Sequence, residues 1–320
     1  MTAIADDLLP LIDISLLYAG PGPARDALAR EVDRLLQTAG FLMIIGHRVP
    51  TDLRDETREM ARRFFHQPTE SKDHVRVVDD RGWIPSGHEA TGYASGDEDS
   101  QPDLKESYTL GPEPVGALAG FPANRVPSTP DGFGAALERY ARHMFDLGAD
   151  LFRLFALALG LEDDHIARLS QHPNSLLGLN WYPAFERTGP AKPNQFRIGP
   201  HCDYGGVTIL DRQQGRGGLQ IQTLEGEWID APFYDGAYTI NIADLLARFT
   251  GDRWRSTPHR VLPPDPTAAS EELISLVFFH EFDHDVLIET LPAPIGGGTR
   301  YAPVLAGEYI AAKFAQVTLG

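Results

Sequence analysis

The chain has 320 residues and carries 28 Lys and Arg against 45 Asp and Glu, a formal net charge of −17 at pH 7, which disfavours DNA, RNA backbone and anionic membranes as partners. A chain of this length buries roughly 75% of the surface its unfolded form exposes, so it needs no disulfide or metal merely to fold. Cys202 is the one cysteine, Asp6 and Asp7 stand where a secretory signal is basic, and the most apolar window, residues 151–161, is broken by Arg153 and falls short of the ~20 residues of a membrane span. The expectation is a cytoplasmic globular protein with a small-molecule substrate and no nucleic-acid or membrane partner.

In chain order, Leu11-Ile12-Asp13-Ile14 predicts a short strand. Leu28, Val32, Leu35, Leu36 and Ala39 mark one face of a helix, with Gly40 where a C-terminal cap belongs. Residues 41–45 form an apolar strand candidate, and Leu53, Met60, Ala61, Phe64 and Phe65 line a second amphipathic helix. From residue 76 to about 130 the periodicity dissolves into Gly, Pro, Asp and Ser, which predicts long loops of the kind that carry function or are mobile. Leu137, Tyr140, Met144, Leu147, Leu151, Leu154 and Ala158 then recur at three- and four-residue spacing, a long helix whose apolar stripe backs a sheet.

After Pro173 the pattern becomes short apolar or alternating runs at 176–181, 207–210, 219–222, 237–242, 259–262 and 274–279, the rhythm of a sandwich or barrel. Strand–helix alternation and phosphate-binding glycine motifs are both missing, so neither a doubly wound sheet nor a nucleotide cofactor is implied. The expected organisation is an N-terminal cap with substrate-side loops and a backing helix over 1–172, a β core over 173–290 and a C-terminal segment over 291–320, packed as one unit.

The most informative residues lie within this core. In His201-Cys202-Asp203 the outer two side chains share one face of an extended segment, so both can meet one ion while Cys202 points away. His259, at the edge of another strand candidate, completes two histidines and a carboxylate, a ligand set that leaves positions open on Fe(II) for oxygen and a cosubstrate. A competing pattern, His280-Glu281-Phe282-Asp283-His284, matches that of zinc peptidases, which requires a helix. Here it follows a strand-like run, Asp283 and Asp285 are poor helix formers and Pro292 follows, so a charged loop is expected.

Around these residues stand Asn180-Trp181-Tyr182-Pro183, Arg197-Ile198-Gly199-Pro200, Gly217-Gly218-Leu219-Gln220, Gly226-Glu227-Trp228, Asn241-Ile242-Ala243-Asp244 and Ser275-Leu276-Val277-Phe278-Phe279. With Leu11-Ile12-Asp13, Gly40-Phe41, Gly46-His47, Phe64-Phe65 and the closing Tyr301-Ala302-Pro303, this order resembles the isopenicillin N synthase-like branch of the Fe(II)- and 2-oxoglutarate-dependent dioxygenases over nearly the whole chain. The resemblance implies a mixed α/β, mainly β fold, a double-stranded β-helix or jelly roll with a helical cap. It implies Fe(II) on His201, Asp203 and His259, with O2 and 2-oxoglutarate as cosubstrates. Tyr182 and Asn180 of the family's Asn-x-Tyr motif and Ser275 of its Arg-x-Ser motif would face 2-oxoglutarate, and Trp83, Tyr93, Tyr108, Trp181 and Leu273 would line the substrate side. Hydroxylation, desaturation and ring closure all fit.

One position departs from the family. Two residues before Ser275, where the family places the arginine that clamps a carboxylate with two parallel hydrogen bonds, this chain has Leu273. Three readings follow: another cation, such as Arg197, Arg253 or Arg255, takes over; the enzyme is an oxidase that dispenses with 2-oxoglutarate; or it uses a different 2-oxo acid with an apolar tail. From other classes, a zinc peptidase on His280 and His284 and a non-catalytic binding barrel stand as alternatives.

Overall fold

The computed structural model describes residues 8–96, 99–118 and 120–315. Its strands are β1 (Leu11–Asp13), β2 (Phe41–Ile45), β3 (Gly82–Ile84), β4 (Glu106–Leu110), β5 (Leu176–Tyr182), β6 (Ile198–His201), β7 (Val207–Asp211), β8 (Leu219–Gln222), β9 (Trp228–Asp230), β10 (Tyr238–Ile242), β11 (His259–Val261), β12 (Leu273–His280), β13 (Leu287–Ile288) and β14 (Val304–Leu305). Eight of them form one sheet in the order β1-β2-β10-β7-β12-β5-β4-β3, and a second sheet runs β6-β11-β8-β9. Apart from the parallel β1–β2 pair, the pairings are antiparallel. This is the jelly roll expected from the sequence.

Alternation along each strand divides the large sheet into two faces. Leu177, Leu179 and Trp181 of β5, Ile240 and Ile242 of β10, and Ile274, Leu276 and Phe278 of β12 join the core shared with the helices. Phe41 and Met43 of β2 point the other way and pack with Leu219, Ile221 and Val261 of the small sheet, filling part of the space between the sheets. The backing helix runs from Phe133 to Ala158, and its buried Leu137, Tyr140, Met144, Leu147, Leu151 and Leu154 are the stripe read from the sequence. Gly40 follows the Pro23–Thr38 helix at φ +67°, and a Cβ there would lie 2.2 Å from Arg255 O, so glycine serves both the turn and the close approach.

Residues 76–130 are less loop-like than their composition suggests, for they contain β3 and β4, which extend the sheet beyond β5. Glu106 conceals the pattern because its charge reads as solvent-facing. In the fold its carboxylate is buried, accepting from Lys72 Nζ at 2.6 Å and from Trp83 Nε1 at 2.8 Å. β6, β9, β13 and β14 also go beyond the sequence pattern, being short pieces with weak alternation. Among the described residues no helix is long and apolar enough to cross a membrane.

A buried ion cluster ties the Thr51–Phe65 helix to the sheet. Asp211, fully buried at the end of β7, accepts from Arg54 Nε at 2.9 Å and Nη2 at 2.7 Å, and Arg58 Nη2 lies 2.9 Å from the same carboxylate. Removing the shared acid leaves two cations buried without their partner. Asp211→Ala is expected to lower the free energy of unfolding by roughly 3–5 kcal/mol in urea titrations; a loss below about 1 kcal/mol would show that the cluster contributes little.

Candidate metal centre

β6 and β11 pair so that His201 stands directly opposite His259, and the register shifts between this pair and Ile198 opposite Val261. The extra residue on β6 is a bulge, which re-aims the strand end as it leaves the sheet. The ring centroids of the two histidines are 4.2 Å apart. Their Nε2 atoms converge on one oxygen, Asp203 Oδ1, at 3.4 Å from His201 and 3.8 Å from His259. The ligand atoms of the three side chains all lie within 4.8 Å of one another, and among the described residues this is the group of its kind that could hold a metal.

Each ligand is oriented by a neighbour. His201 Nδ1 lies 2.8 Å from Gly199 O and His259 Nδ1 3.2 Å from Thr257 O, contacts that place the proton on Nδ1 and leave the Nε2 lone pairs facing the centre. Asp203 Oδ2 accepts from Thr208 Oγ1 and from Asn241 Nδ2 at 2.7 Å, so Oδ1 is the oxygen left for a metal. Burial would raise the Asp203 pKa, but His259, His201 and the Asn241 amide together hold it well below the usual carboxylate range. Burial and the neighbouring His201 push His259 down to about 4, so it is neutral at pH 7. For His201 burial lowers the pKa, but Asp203 and the Gly199 carbonyl outweigh it and hold it above the ordinary value, so a metal would displace a proton there. Two imidazoles and a carboxylate suit a divalent ion of the Fe(II) type.

The chain from Asp203 to Gly206 is held from two sides. Main-chain amides of Asp244 and Leu245 donate to Asp203 O and Tyr204 O at 2.9 and 3.1 Å. Glu281 Oε2 accepts from Gly206 N at 3.2 Å, and a Cβ on Gly205 would lie 1.4 Å from that same oxygen, so a side chain there would displace the carboxylate. Burial pushes the Glu281 carboxyl up to about 7. Glu281 therefore anchors the metal loop, and the zinc-peptidase pattern does not form. His280 is the last residue of β12, packed on Gly148 and bonded to Ser170 Oγ, while His284 lies in a turn against Gly307. Cys202 points away, its Sγ 3.6 Å from Ser256 O, with its thiol pushed by burial to about 12.

Tyr182, Leu273 and Ser275 line a cavity of about 710 Å³ with Leu210, Arg212, Leu219 and Val261, and Ser275 Oγ donates to Tyr182 Oη at 3.2 Å. These hydroxyls suit one end of a carboxylate. Asn180 is engaged elsewhere, its Oδ1 accepting from Ser107 Oγ at 2.9 Å. Of the cations named from the sequence, Arg253 is paired with Asp33 and Arg255 bonds to Thr38 O, whereas Arg197 is buried with its guanidinium 5.7 Å from the Tyr182 ring. Its Nε has no hydrogen-bond partner, an unmet cationic donor compatible with a dicarboxylate.

Three of the five residues expected on the substrate side are placed against the helices instead. Trp181 stacks on Phe65, Tyr108 packs among Phe64 and Phe133, and Trp83 binds Glu106, all on the outer face of the large sheet. The reason is parity: Trp181 lies between the inward Asn180 and Tyr182. Tyr93 is in a short helical turn whose Gly92 packs closely on Gly199 of β6. Thr208, Asn241 and Arg212 receive no role from the sequence, and Glu281 receives one only within the peptidase pattern. The available signal was a polar residue at an inward position of an apolar strand, as in Tyr238-Thr239-Ile240-Asn241-Ile242.

Known proteins resemble this chain in sequence and in fold. The family model described as non-haem dioxygenase in morphine synthesis N-terminal matches residues 9–130, and that of the 2OG-Fe(II) oxygenase superfamily matches residues 173–281. A protein of Streptomyces hygroscopicus subsp. limoneus named Validamycin A dioxygenase is 34% identical over 317 residues, covering 97% of this chain and 86% of its own length. A homoarginine-6-hydroxylase of Arabidopsis thaliana is 28% identical, covering 95% of this chain and 96% of its own. The crystal structure of a full-length Neurospora crassa protein in complex with alpha-KG superposes with a TM-score of 0.84 at 28% identity over 96% of both chains, and a second structure of that protein also contains thymine.

The outer hydrogen bonds to Asp203 yield a test. Asn241→Ala leaves Oδ2 to Thr208 alone, and is expected to weaken divalent metal binding about 10- to 100-fold in calorimetric titration while leaving the circular dichroism unchanged. An affinity within about twofold of wild type would mean that Asn241 does not orient the carboxylate.

Proposed function

The chain belongs to the 2OG-Fe(II) oxygenase superfamily, and from that premise we propose that His201 Nε2, Asp203 Oδ1 and His259 Nε2 hold its Fe(II). It is an Fe(II)- and 2-oxoglutarate-dependent dioxygenase that oxidises a small organic substrate with O2, giving succinate and CO2. When bound, Fe(II) with 2-oxoglutarate and O2 supplies the oxidising power, and the protein contributes binding, orientation and a dry environment. The observation that carries the residue assignment is the convergence of two Nε2 atoms on one carboxylate oxygen whose partner oxygen is already hydrogen-bonded.

In this reading each side chain has a physical task. Gly199 O and Thr257 O hold the imidazole tautomers, Thr208 and Asn241 hold the Asp203 carboxylate, and Phe41, edge-on to His259 with centroids 5.5 Å apart, keeps water from that flank. The Tyr182 and Ser275 hydroxyls receive the far carboxylate of 2-oxoglutarate, and Asn180 fastens β5 to β4 through Ser107. Tyr93 stands on the substrate side because its turn rests on the strand that carries His201. The reaction is taken to be hydroxylation of a small polar molecule, in keeping with relatives named for validamycin A and homoarginine and with the thymine held in the Neurospora crassa structure. The three segments act as one unit, since β2 pairs with β10, β4 with β5 and β13 with β14 across the expected boundaries.

Protein reconstituted with Fe(II) and given 2-oxoglutarate under O2 is expected to form succinate, slowly even without the prime substrate, and a chelator should stop it reversibly. Asp203→Ala is expected to reduce succinate formation by about 100-fold or more, since even groups that only orient metal ligands are worth 10- to 100-fold. Unchanged turnover in that variant would sink the triad assignment.

A further inference from the structure

With Leu273 in place of the family's arginine, the far carboxylate of 2-oxoglutarate would meet two hydroxyls and no charge from β12. Arg197 lies just before β6, 1% exposed, with its main-chain amide donating to Val261 O at 3.0 Å. Its Nη1 makes two long contacts of 3.4 Å, to Arg216 O and Gly217 O, and its Nε makes none. Among the described residues no carboxylate stands within ion-pair distance of it, and burial draws its pKa below the ordinary arginine value. A buried cation in that state is costly unless an anion joins it.

Its guanidinium and the side chain at position 273 approach the same loop. Leu273 reaches the same loop, because a Cβ on Gly217 would sit 3.5 Å from Leu273 Cδ1 and one on Gly215 2.7 Å from Cδ2. The Arg197 guanidinium touches Gly217 O and lies over the Tyr182 ring, whose hydroxyl accepts from Ser275. Other cations nearby are already engaged. Arg212 lines the cavity but donates to Thr239 Oγ1, Ala231 O and Pro232 O, and Lys105 is joined to Glu89 and Ser107.

We propose that Arg197, reaching in from the start of β6, binds the distal carboxylate of 2-oxoglutarate together with Tyr182 and Ser275, taking over the task of the arginine absent at position 273. The charge has moved from the large sheet to the small one, and the hydroxyl pair has stayed. This inference rests on the 2-oxoglutarate-dependent reading above.

The test is binding, followed by the metal-to-ligand charge-transfer absorbance of anaerobic Fe(II)-loaded protein, with two probes: 2-oxoglutarate, and 2-oxopentanoate, which has a methyl in place of the distal carboxylate. Arg197→Leu is expected to raise the Kd for 2-oxoglutarate about 30- to 100-fold and to leave that for 2-oxopentanoate within about threefold. Arg197→Lys, which keeps the charge and loses the planar fork, should fall between. The double variant Arg197→Leu with Leu273→Arg should recover most of the lost affinity, a rescue that a merely structural role for Arg197 would not produce. Equal weakening of both acids, no change in the 2-oxoglutarate Kd, or transfer of the whole effect to Arg212→Gln would overturn the proposal while leaving the cosubstrate reading intact. Iron-loaded wild type that gives a band with neither acid would instead overturn the cosubstrate reading, and this inference with it.

Discussion

The pairing of His201 with His259 across β6 and β11 is the constraint on which the rest of the centre depends. Antiparallel strands put directly opposed side chains on one face at close range, so one ladder contact brings together two ligands from distant parts of the chain. The bulge precedes this pair on β6, and the carboxylate two residues beyond His201 comes back to face both Nε2 atoms. Everything nearby protects that arrangement: carbonyls fix the tautomers, Thr208 and Asn241 fix the carboxylate, and Glu281 with the Asp244–Phe249 helix fixes the loop. The groups that orient the ligands are buried with partners, which is the condition for their burial.

The same condition explains how the helical N-terminal part is fastened to the sheet. Asp211 answers Arg54 and Arg58, and Glu106 answers Lys72 with help from the Trp83 indole. These contacts lie on the face of the large sheet opposite the cavity. The sheet thus has a stability face, packed with apolar residues and closed ion pairs, and a chemical face on which polar groups are left for ligands. Trp181 and Tyr182, adjacent in sequence, belong to opposite faces and serve different ends.

Arg197 stands apart from those closed pairs. Its cationic neighbours have carboxylates or short carbonyl contacts, whereas it has two long contacts and an idle Nε. A buried charge beside the Tyr182 ring is what a binding site for an anion requires, because the desolvation has occurred during folding rather than on binding. The departure at Leu273 and the unmet demand at Arg197 are then two aspects of one rearrangement around an unchanged pair of hydroxyls.

Much of this was legible in residue order. The His201, Asp203 and His259 set, the sandwich-or-barrel rhythm after Pro173, the backing helix and the Gly40 cap depend on spacing and local chemistry, which a strand's period of two and a helix's 3.6 carry directly, while the jelly roll itself was implied by the family resemblance. β4 was not legible, because the signal of Glu106 is that of an exposed residue until Lys72 is placed beside it. Trp83, Tyr108 and Trp181 were attractive as pocket residues by type, yet which side of a sheet an aromatic occupies depends on register, and one residue of shift reverses it. The sequence by itself determined which groups could bind iron and that the usual cation was missing from β12. Only the tertiary structure decided which of several arginines came to stand beside Tyr182, because that contact joins strands of different sheets and is set by how the barrel closes, not by any local spacing.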